Sequence, residues 1–281
     1  PFMDRTFSPS EFAERSFFKK YRTALWIPFI AALKTYRLIA AGDRIAVCIS
    51  GGKDSMLLAL LLRALQKHSD VPFSLHYLAM DPGYAPENRK KLEENAAHLE
   101  VPLEIFETNI FTVTGRTEKN PCYLCARMRR GFLYRHAQDL GCNKIALGHH
   151  MDDAVETVLL SMFYSSQLQG MPPKLKSRHF PGMELIRPLY CIREDAIRAW
   201  ARYNGLTFLN CACAMEQRAD ASSKRQEIKR LLSELSKQNP QIVENIFRST
   251  HAANLNTLPG WKQDGVLHSF LELFDTALST E

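Results

Sequence analysis

The stretch Ile45-Ala46-Val47-Cys48-Ile49-Ser50-Gly51-Gly52-Lys53-Asp54-Ser55, followed by the apolar run Met56 to Leu62, decides how the rest of the chain is read. Ile45 to Ile49 is apolar and rich in β-branched residues, which predicts a buried strand. Two adjacent glycines then turn the chain, and Asp54 to Gln66 fits a helix that starts at once. At such a junction backbone N–H groups converge and the helix dipole favours negative charge. Lys53 adds a mobile positive charge, and Ser50 and Ser55 add hydroxyl donors. Asp54 is out of place beside a naked phosphate, but a carboxylate beside phosphates can hold Mg²⁺. The glycines are adjacent, so this is not a Walker A loop, which needs four residues between its first glycine and the Gly-Lys pair. It is not a Gly-x-Gly-x-x-Gly dinucleotide loop either. An ordinary strand-to-helix turn is the bland alternative.

Outward from this stretch, 281 residues give room for a full core. The hydrophobic share of 46% and charged share of 23% are those of a soluble globular protein. A formal charge of +6 and a pI near 8.9 lean toward a polyanionic partner. Leu57 to Leu62 falls far short of the ~20 residues that a membrane span needs, and Pro28 interrupts Trp26 to Leu33. No signal peptide and no membrane association are expected, which points to the cytoplasm. The seven cysteines are Cys48, Cys122, Cys125, Cys142, Cys191, Cys211 and Cys213. An odd count on a chain of this size argues against a disulfide framework, and their clustering argues for metal or redox chemistry.

Residues 1–40 read as a helical leader. Ser8-Pro9-Ser10-Glu11 is a helix start, with Ser8 as cap, Pro9 in the first turn and Glu11 returning to the cap. From Gly42 strands and helices alternate: strands near 45–49, 73–80, 103–106 and 144–148, and helices near 54–67, 86–99, 125–140, 152–164 and 193–204. Ile186 to Leu189 extends the sheet. This alternation predicts an α/β fold, a mainly parallel sheet with helices on both faces and helical additions at both ends. The turns after residues 49, 80 and 148 all follow strands, so they gather on one rim, where such sheets bind ligands. Residues 215–281 form a C-terminal helical extension, with helices 222–238 and 240–254 and a short helix in the tail.

Two further constellations carry chemistry. Gly148-His149-His150-Met151-Asp152-Asp153 sits at a strand end, and its aspartates open a helix where carboxylates suit the dipole. Gly148 permits close approach to a flat ligand, and a His or Asp there can contact a nucleotide or hold Mg²⁺. A plain helix cap is the alternative. Cys122-Tyr123-Leu124-Cys125 has three readings: a redox pair, half of a zinc site, or part of an iron–sulfur site. Cys211-Ala212-Cys213 is the one candidate second pair, and only a tertiary fold can bring it to the first. Buried, unligated thiols are the reading that suits Cys48, Cys142 and Cys191.

These strings resemble known ones. Ser50 to Ser55 resembles the PP-loop of the ATP pyrophosphatase superfamily, whose members split ATP into AMP and pyrophosphate. Gly148 to Asp153 is similar to a second signature of that superfamily. Asn120-Pro121-Cys122-Tyr123-Leu124-Cys125-Ala126-Arg127-Met128-Arg129-Arg130-Gly131, Gly170-Met171-Pro172-Pro173-Lys174-Leu175 and Ile186-Arg187-Pro188-Leu189 look like the tRNA 2-thiocytidine synthetase (TtcA-like) family. The resemblance runs from about Gly42 to Cys211 and is weaker beyond. It implies a PP-loop, Rossmann-like domain over 41–214 and a [4Fe–4S] cluster bound by three cysteines. It also implies ATP-dependent thiolation of a cytidine in the tRNA anticodon loop. By position Cys122 and Cys125 match the first two ligands and Cys211 the third. The family pattern at that last place is Cys-x-x-Cys and this chain has Cys-x-Cys, so Cys213 stands as the alternative.

On this resemblance ATP lies on Ser50, Gly51, Gly52, Lys53, Asp54 and Ser55, with Gly148, His149 and Asp153 beside it. Lys53, Asp54 and Asp152 are the expected catalytic residues, and Asp54 is the expected Mg²⁺ ligand. The base carbonyl attacks the α-phosphorus, pyrophosphate leaves, and sulfur then displaces AMP. Arg127, Arg129, Arg130 and Lys174 are the expected RNA contacts, in a region where basic residues outnumber acidic ones. tRNA and a sulfur donor such as a cysteine desulfurase are the expected partners, and a homodimer is allowed. The rivals are thiolation of a different nucleotide or small molecule, a nitrogen nucleophile in place of sulfur, and a non-catalytic RNA-binding protein with structural zinc. The last leaves Ser50 to Ser55 without a purpose.

Overall fold

The computed structural model describes residues 7–111, 121–209 and 224–277. It separates into two compact units, residues 1–229 and 230–281.

The first unit is built on a six-stranded sheet. Its strands are β1 (Arg44–Cys48), β2 (Ser74–Asp81), β3 (Leu103–Glu107), β4 (Lys144–Ala146), β5 (Lys174–Lys176) and β6 (Glu184–Ile186). Their spatial order is β3-β2-β1-β4-β6-β5. All neighbours pair in parallel except β5, which closes the edge antiparallel to β6. The chain runs outward from β1 to β3 and then returns to lay β4 on the other side of β1. That reversal makes the carboxyl ends of β1 and β4 the switch point where such sheets open a crevice. Both the parallel sheet and the shared rim are as the sequence predicts.

Helix α3 (Lys53–His68) follows β1. Met56 to Leu62 are all fully buried, so this helix is apolar on every side. The leader covers it. Helix α1 (Pro9–Phe18) starts with the expected capping box: Ser8 Oγ accepts the Glu11 N–H at 3.2 Å, and Glu11 accepts the Ser8 N–H at 3.1 Å. A π-turn (Arg22–Trp26) leads into α2 (Ile27–Thr35), so the leader is two helices rather than one. Arg63 of α3 ties the two layers together, donating to Glu14 at 2.6 Å and to the Leu99 carbonyl at 3.0 Å. Phe17, Leu25 and Phe29 are fully buried in the same core, with Trp200 of α7 (Glu194–Tyr203).

Among the described residues this unit also has helices α4 (Pro86–His98), α5 (Pro121–Asp139), α6 (Met151–Ser165) and the start of α8 (Lys224–Gln238). β6 ends at Ile186 instead of beginning there. Pro188 has no N–H to give to a ladder, so the chain leaves the sheet. The second unit carries the rest of α8, α9 (Ile242–Ser249), a hairpin of β7 (Gly260–Gln263) and β8 (Val266–Ser269), and α10 (Phe270–Ala277). The hairpin turns through Asp264 (φ 50°) and Gly265 (φ 87°), a left-handed pair suited to a two-residue turn.

Candidate active site

The loop after β1 is held by its own serines. Ser55 Oγ accepts the Ser50 N–H at 3.2 Å and donates to the Gly52 carbonyl at 3.0 Å, and the two hydroxyl oxygens lie 3.2 Å apart. Gly51 has φ +84°, and a Cβ there would come within 2.6 Å of Leu209 Cδ1. α3 begins at Lys53 behind Gly52, and no side chain caps it. The N–H groups of its first turn are therefore open to an anion.

Gly148 follows β4 across the switch point. A Cβ on it would meet the Asp54 carbonyl carbon and the Ser55 nitrogen at 3.1 Å each. Backbone thus lies directly on backbone, and the strand end is pressed against the start of α3. This closure brings the Gly148 to Asp153 segment to the glycine turn, as the sequence predicts.

Charge is dense here. Lys53 Nζ sits 2.8 Å from Glu194 and 3.0 Å from Asp54. Burial pulls the Lys53 ammonium down, but the two carboxylates outweigh it and hold its pKa above the ordinary value. Burial likewise pushes Glu194 up, and the Lys53 hydrogen bond and charge reverse this, leaving the carboxyl at about 2. Asp54 Oδ1 is buried without a hydrogen bond, 3.8 Å from His150 Nε2. Asp153 accepts the His150 N–H at 3.0 Å, and Asp152 accepts the Glu194 N–H at 2.7 Å. Burial pushes His149 down to about 4, with Asp153 opposing and Arg187 and Arg225 assisting, so its ring is neutral near pH 7.

Four of these side chains carry no sequence signal of their own. Glu194 opens α7, and Glu156 is buried in α6 with its pKa raised by burial against Lys229 and Arg225. From α8, Arg225 reaches Glu156 at 3.4 Å and Lys229 reaches it at 3.6 Å. A fifth, Arg187, lies in a string quoted above, yet the string gave it no role; it is buried, and its Nε makes no hydrogen bond.

The other expected site residues are spread more widely. Cys122 and Cys125 lie in the first two turns of α5, while Cys211 and Cys213 fall outside the described residues. Leu209, two residues before Cys211, donates its N–H to the Gly51 carbonyl at 3.2 Å. Burial raises the thiols of Cys48 (to about 12), Cys142 and Cys191, which makes them poor ligands. Thiolates are the donor type that an iron–sulfur cluster takes. Among the described residues no three His, Cys, Asp or Glu side chains are grouped to hold a metal ion. Arg127 and Arg130 are exposed, and Arg129 lies over the Phe111 ring at 5.4 Å. Lys174 is not brought to the loop: its ammonium pairs with Glu184 at 3.0 Å and with the Arg37 carbonyl at 3.2 Å.

A family model described as a PP-loop domain matches residues 29–233. A tRNA-cytidine(32) 2-sulfurtransferase from Alkalilimnicola ehrlichii is 39% identical over 248 residues, covering 86% of this chain and 76% of the relative. The chain belongs to the tRNA-cytidine(32) 2-sulfurtransferase family of PP-loop proteins. Another tRNA-cytidine(32) 2-sulfurtransferase, from Coxiella burnetii, is 37% identical over 249 residues, 86% of this chain and 93% of the relative. Among solved structures, the U34-tRNA thiolase NcsA from Methanococcus maripaludis, with its [4Fe-4S] cluster, superposes with a TM-score of 0.64 at 22% identity. It covers 85% of this chain and 79% of that one. That likeness shows the PP-loop fold. The chain accordingly carries an ATP-binding PP-loop domain.

Proposed function

We propose that this chain activates the C2 carbonyl of an anticodon-loop cytidine in tRNA with ATP and replaces its oxygen with sulfur, giving 2-thiocytidine. The observation that carries this reading is the contact of Gly148 with the uncapped first turn of α3, which builds an anion cradle at the switch point. Family membership supplies the substrate class.

The phosphates of ATP lie on the N–H groups from Gly51 to Ser55 and on the two serine hydroxyls. Asp54, with a buried oxygen free for a ligand, and Asp153 are the residues that would hold Mg²⁺, which neutralises triphosphate charge when bound. Neutral His149 offers the nucleotide one donor and one acceptor. The cytidine oxygen attacks the α-phosphorus and pyrophosphate leaves. Lys53 and the loop N–H groups stabilise the charge that develops, commonly the largest catalytic contribution. Sulfur then attacks the activated carbon, AMP departs with the former carbonyl oxygen, and a thiocarbonyl remains. Cys122, Cys125 and Cys211 (Cys213 in the alternative) would hold the [4Fe–4S] cluster, which when bound carries the sulfur to be transferred. The Leu209–Gly51 hydrogen bond supports this arrangement, because Leu209, two positions before Cys211 in sequence, is held at the PP-loop. Arg127, Arg129 and Arg130 hold tRNA phosphates, with Lys174 at the sheet edge. Residues 1–40 brace the ATP-binding domain over 41–214, and 215–281 form the extension. A cysteine desulfurase supplies the sulfur, the protein acts in the cytoplasm, and a homodimer fits the scheme.

Nucleoside mass spectrometry of tRNA from cells lacking the protein tests the reading. Loss of 2-thiocytidine is expected, and an unchanged set of thionucleosides would refute it. K53A should abolish pyrophosphate release while bound iron is retained. Single replacements of Cys211 and Cys213, with iron measured after anaerobic purification, assign the third ligand; zinc without iron or acid-labile sulfide would sink the cluster.

A further inference from the structure

Lys53 is a flexible side chain with a strongly hydrated charge, and nothing in its own chemistry fixes where the charge sits. Two carboxylates do so here. Asp54 is its sequence neighbour, at 3.0 Å. Glu194 comes from 141 residues further on, at 2.8 Å. A carboxylate beside a triphosphate site is adverse unless cations engage it. Glu194 is so engaged: Arg198 donates to the same oxygen as Lys53 at 2.8 Å, and Lys229 lies 3.8 Å from the other. Its side chain is 13% exposed.

The main chain of Glu194 is fixed as well. Arg193, the N-cap residue of α7, makes no side-chain cap. The cap comes from α6 instead, where Asp152 Oδ2 accepts the Glu194 N–H at 2.7 Å. Asp152 also takes the Arg193 guanidinium at 3.3 Å. Its carboxylate is thus directed at the start of α7.

We infer that Glu194 is a positioning residue for adenylation: it fixes the ammonium of Lys53 over the PP-loop, and Asp152 fixes Glu194 by capping α7 from outside. The inference rests on the reading of Lys53 as the charge-stabilising group. It places the two signature segments in one mechanical chain, from the helix after β4 through α7 to the helix after β1. Asp54 can then turn to a metal without releasing the lysine.

The test uses the holoenzyme with tRNA, ATP and sulfide, measuring AMP formation, ATP dissociation and melting temperature. E194Q should lower kcat about 100-fold, the scale of a misplaced catalytic group, with the KM for ATP within about threefold of wild type. Its melting temperature should stay close to that of wild type. In a K53R background E194Q should cost nothing further, because its route of action is already broken. D152N keeps an acceptor for the Glu194 N–H, so its kcat should lie between those of wild type and D152A. The inference is overturned if E194Q turns over normally, if its rate loss tracks a fall in melting temperature, or if the K53R and E194Q losses multiply. It is overturned too if D152N falls as far as D152A. Normal turnover by K53R removes the reading of Lys53 and this inference together, whereas an impaired K53R with a normal E194Q removes this inference alone.

Discussion

Gly148 leaves no room for a side chain where the strand end meets the start of α3. The atoms that a Cβ would meet are the Asp54 carbonyl carbon and oxygen and the Ser55 nitrogen, at 3.1 to 3.3 Å. Helix backbone cannot swing aside as a side chain does. G148A should therefore move the start of α3 and cost about 1–3 kcal/mol in urea melts. Adenylation should fall further than stability implies, which comparison of AMP release with the melting midpoint checks. The sequence makes Gly148 and Ser50 to Ser55 legible because the backbone itself demands those residue types. Glu194 is not legible in this way. A glutamate opening a helix is what the dipole favours at any helix start, and the lysine it serves lies 141 positions away.

At the scale of elements, the starts of the central strands are locked by a buried ion pair. Lys144 of β4 lies 2.7 Å from Asp43, which precedes β1, and donates to the Leu38 carbonyl at 2.9 Å. Burial pushes the Asp43 carboxyl up, but hydrogen bonds from Lys144, the Ala40 N–H and Asn143 bring it below the ordinary carboxylate value. Its contribution is therefore complete above the ordinary value and is lost as pH falls through the depressed one. K144M should cost about 3–5 kcal/mol at neutral pH, because it leaves a buried charge unpaired. The carboxyl keeps the Ala40 and Asn143 hydrogen bonds but loses its cation, so it should titrate higher than in wild type, and the gap between K144M and wild type should narrow on acidification, as thermal melts across pH would show. Elements with strong periodicity or apolar runs, such as β1, α3 and α6, are readable without coordinates. β5 is not, since its three residues, Lys-Leu-Lys, are too few for their alternation to mark a strand. The β7–β8 hairpin is different: Asp264-Gly265 between short runs is a two-residue turn signal that a reading of the tail as helix passes over.

Across the whole molecule, a formal charge of +6 sets how the protein meets RNA. tRNA affinity should fall linearly in a plot of log K against log salt. R127A and R130A, both at exposed positions, should each flatten the slope by about 0.7–0.9 if each contacts one phosphate. Filter binding from low to moderate salt measures this, and an unchanged slope removes that arginine from the interface. The architecture was legible at this scale because strand–helix alternation has few solutions. The convergence of α7 and α8 on the loop was not, because ion pairs between distant segments leave no period in a sequence.

The bare start of α3 also ties the protein's persistence to its substrate. A helix begun without a side-chain cap leaves its first N–H groups to water until an anion displaces it. Pyrophosphate or ATP at a hundred times its dissociation constant should add about 2.7 kcal/mol to the folded state, read as a rise in melting temperature. An energy-starved cell would then hold this protein closer to unfolding, and to its proteases, than a well-fed one.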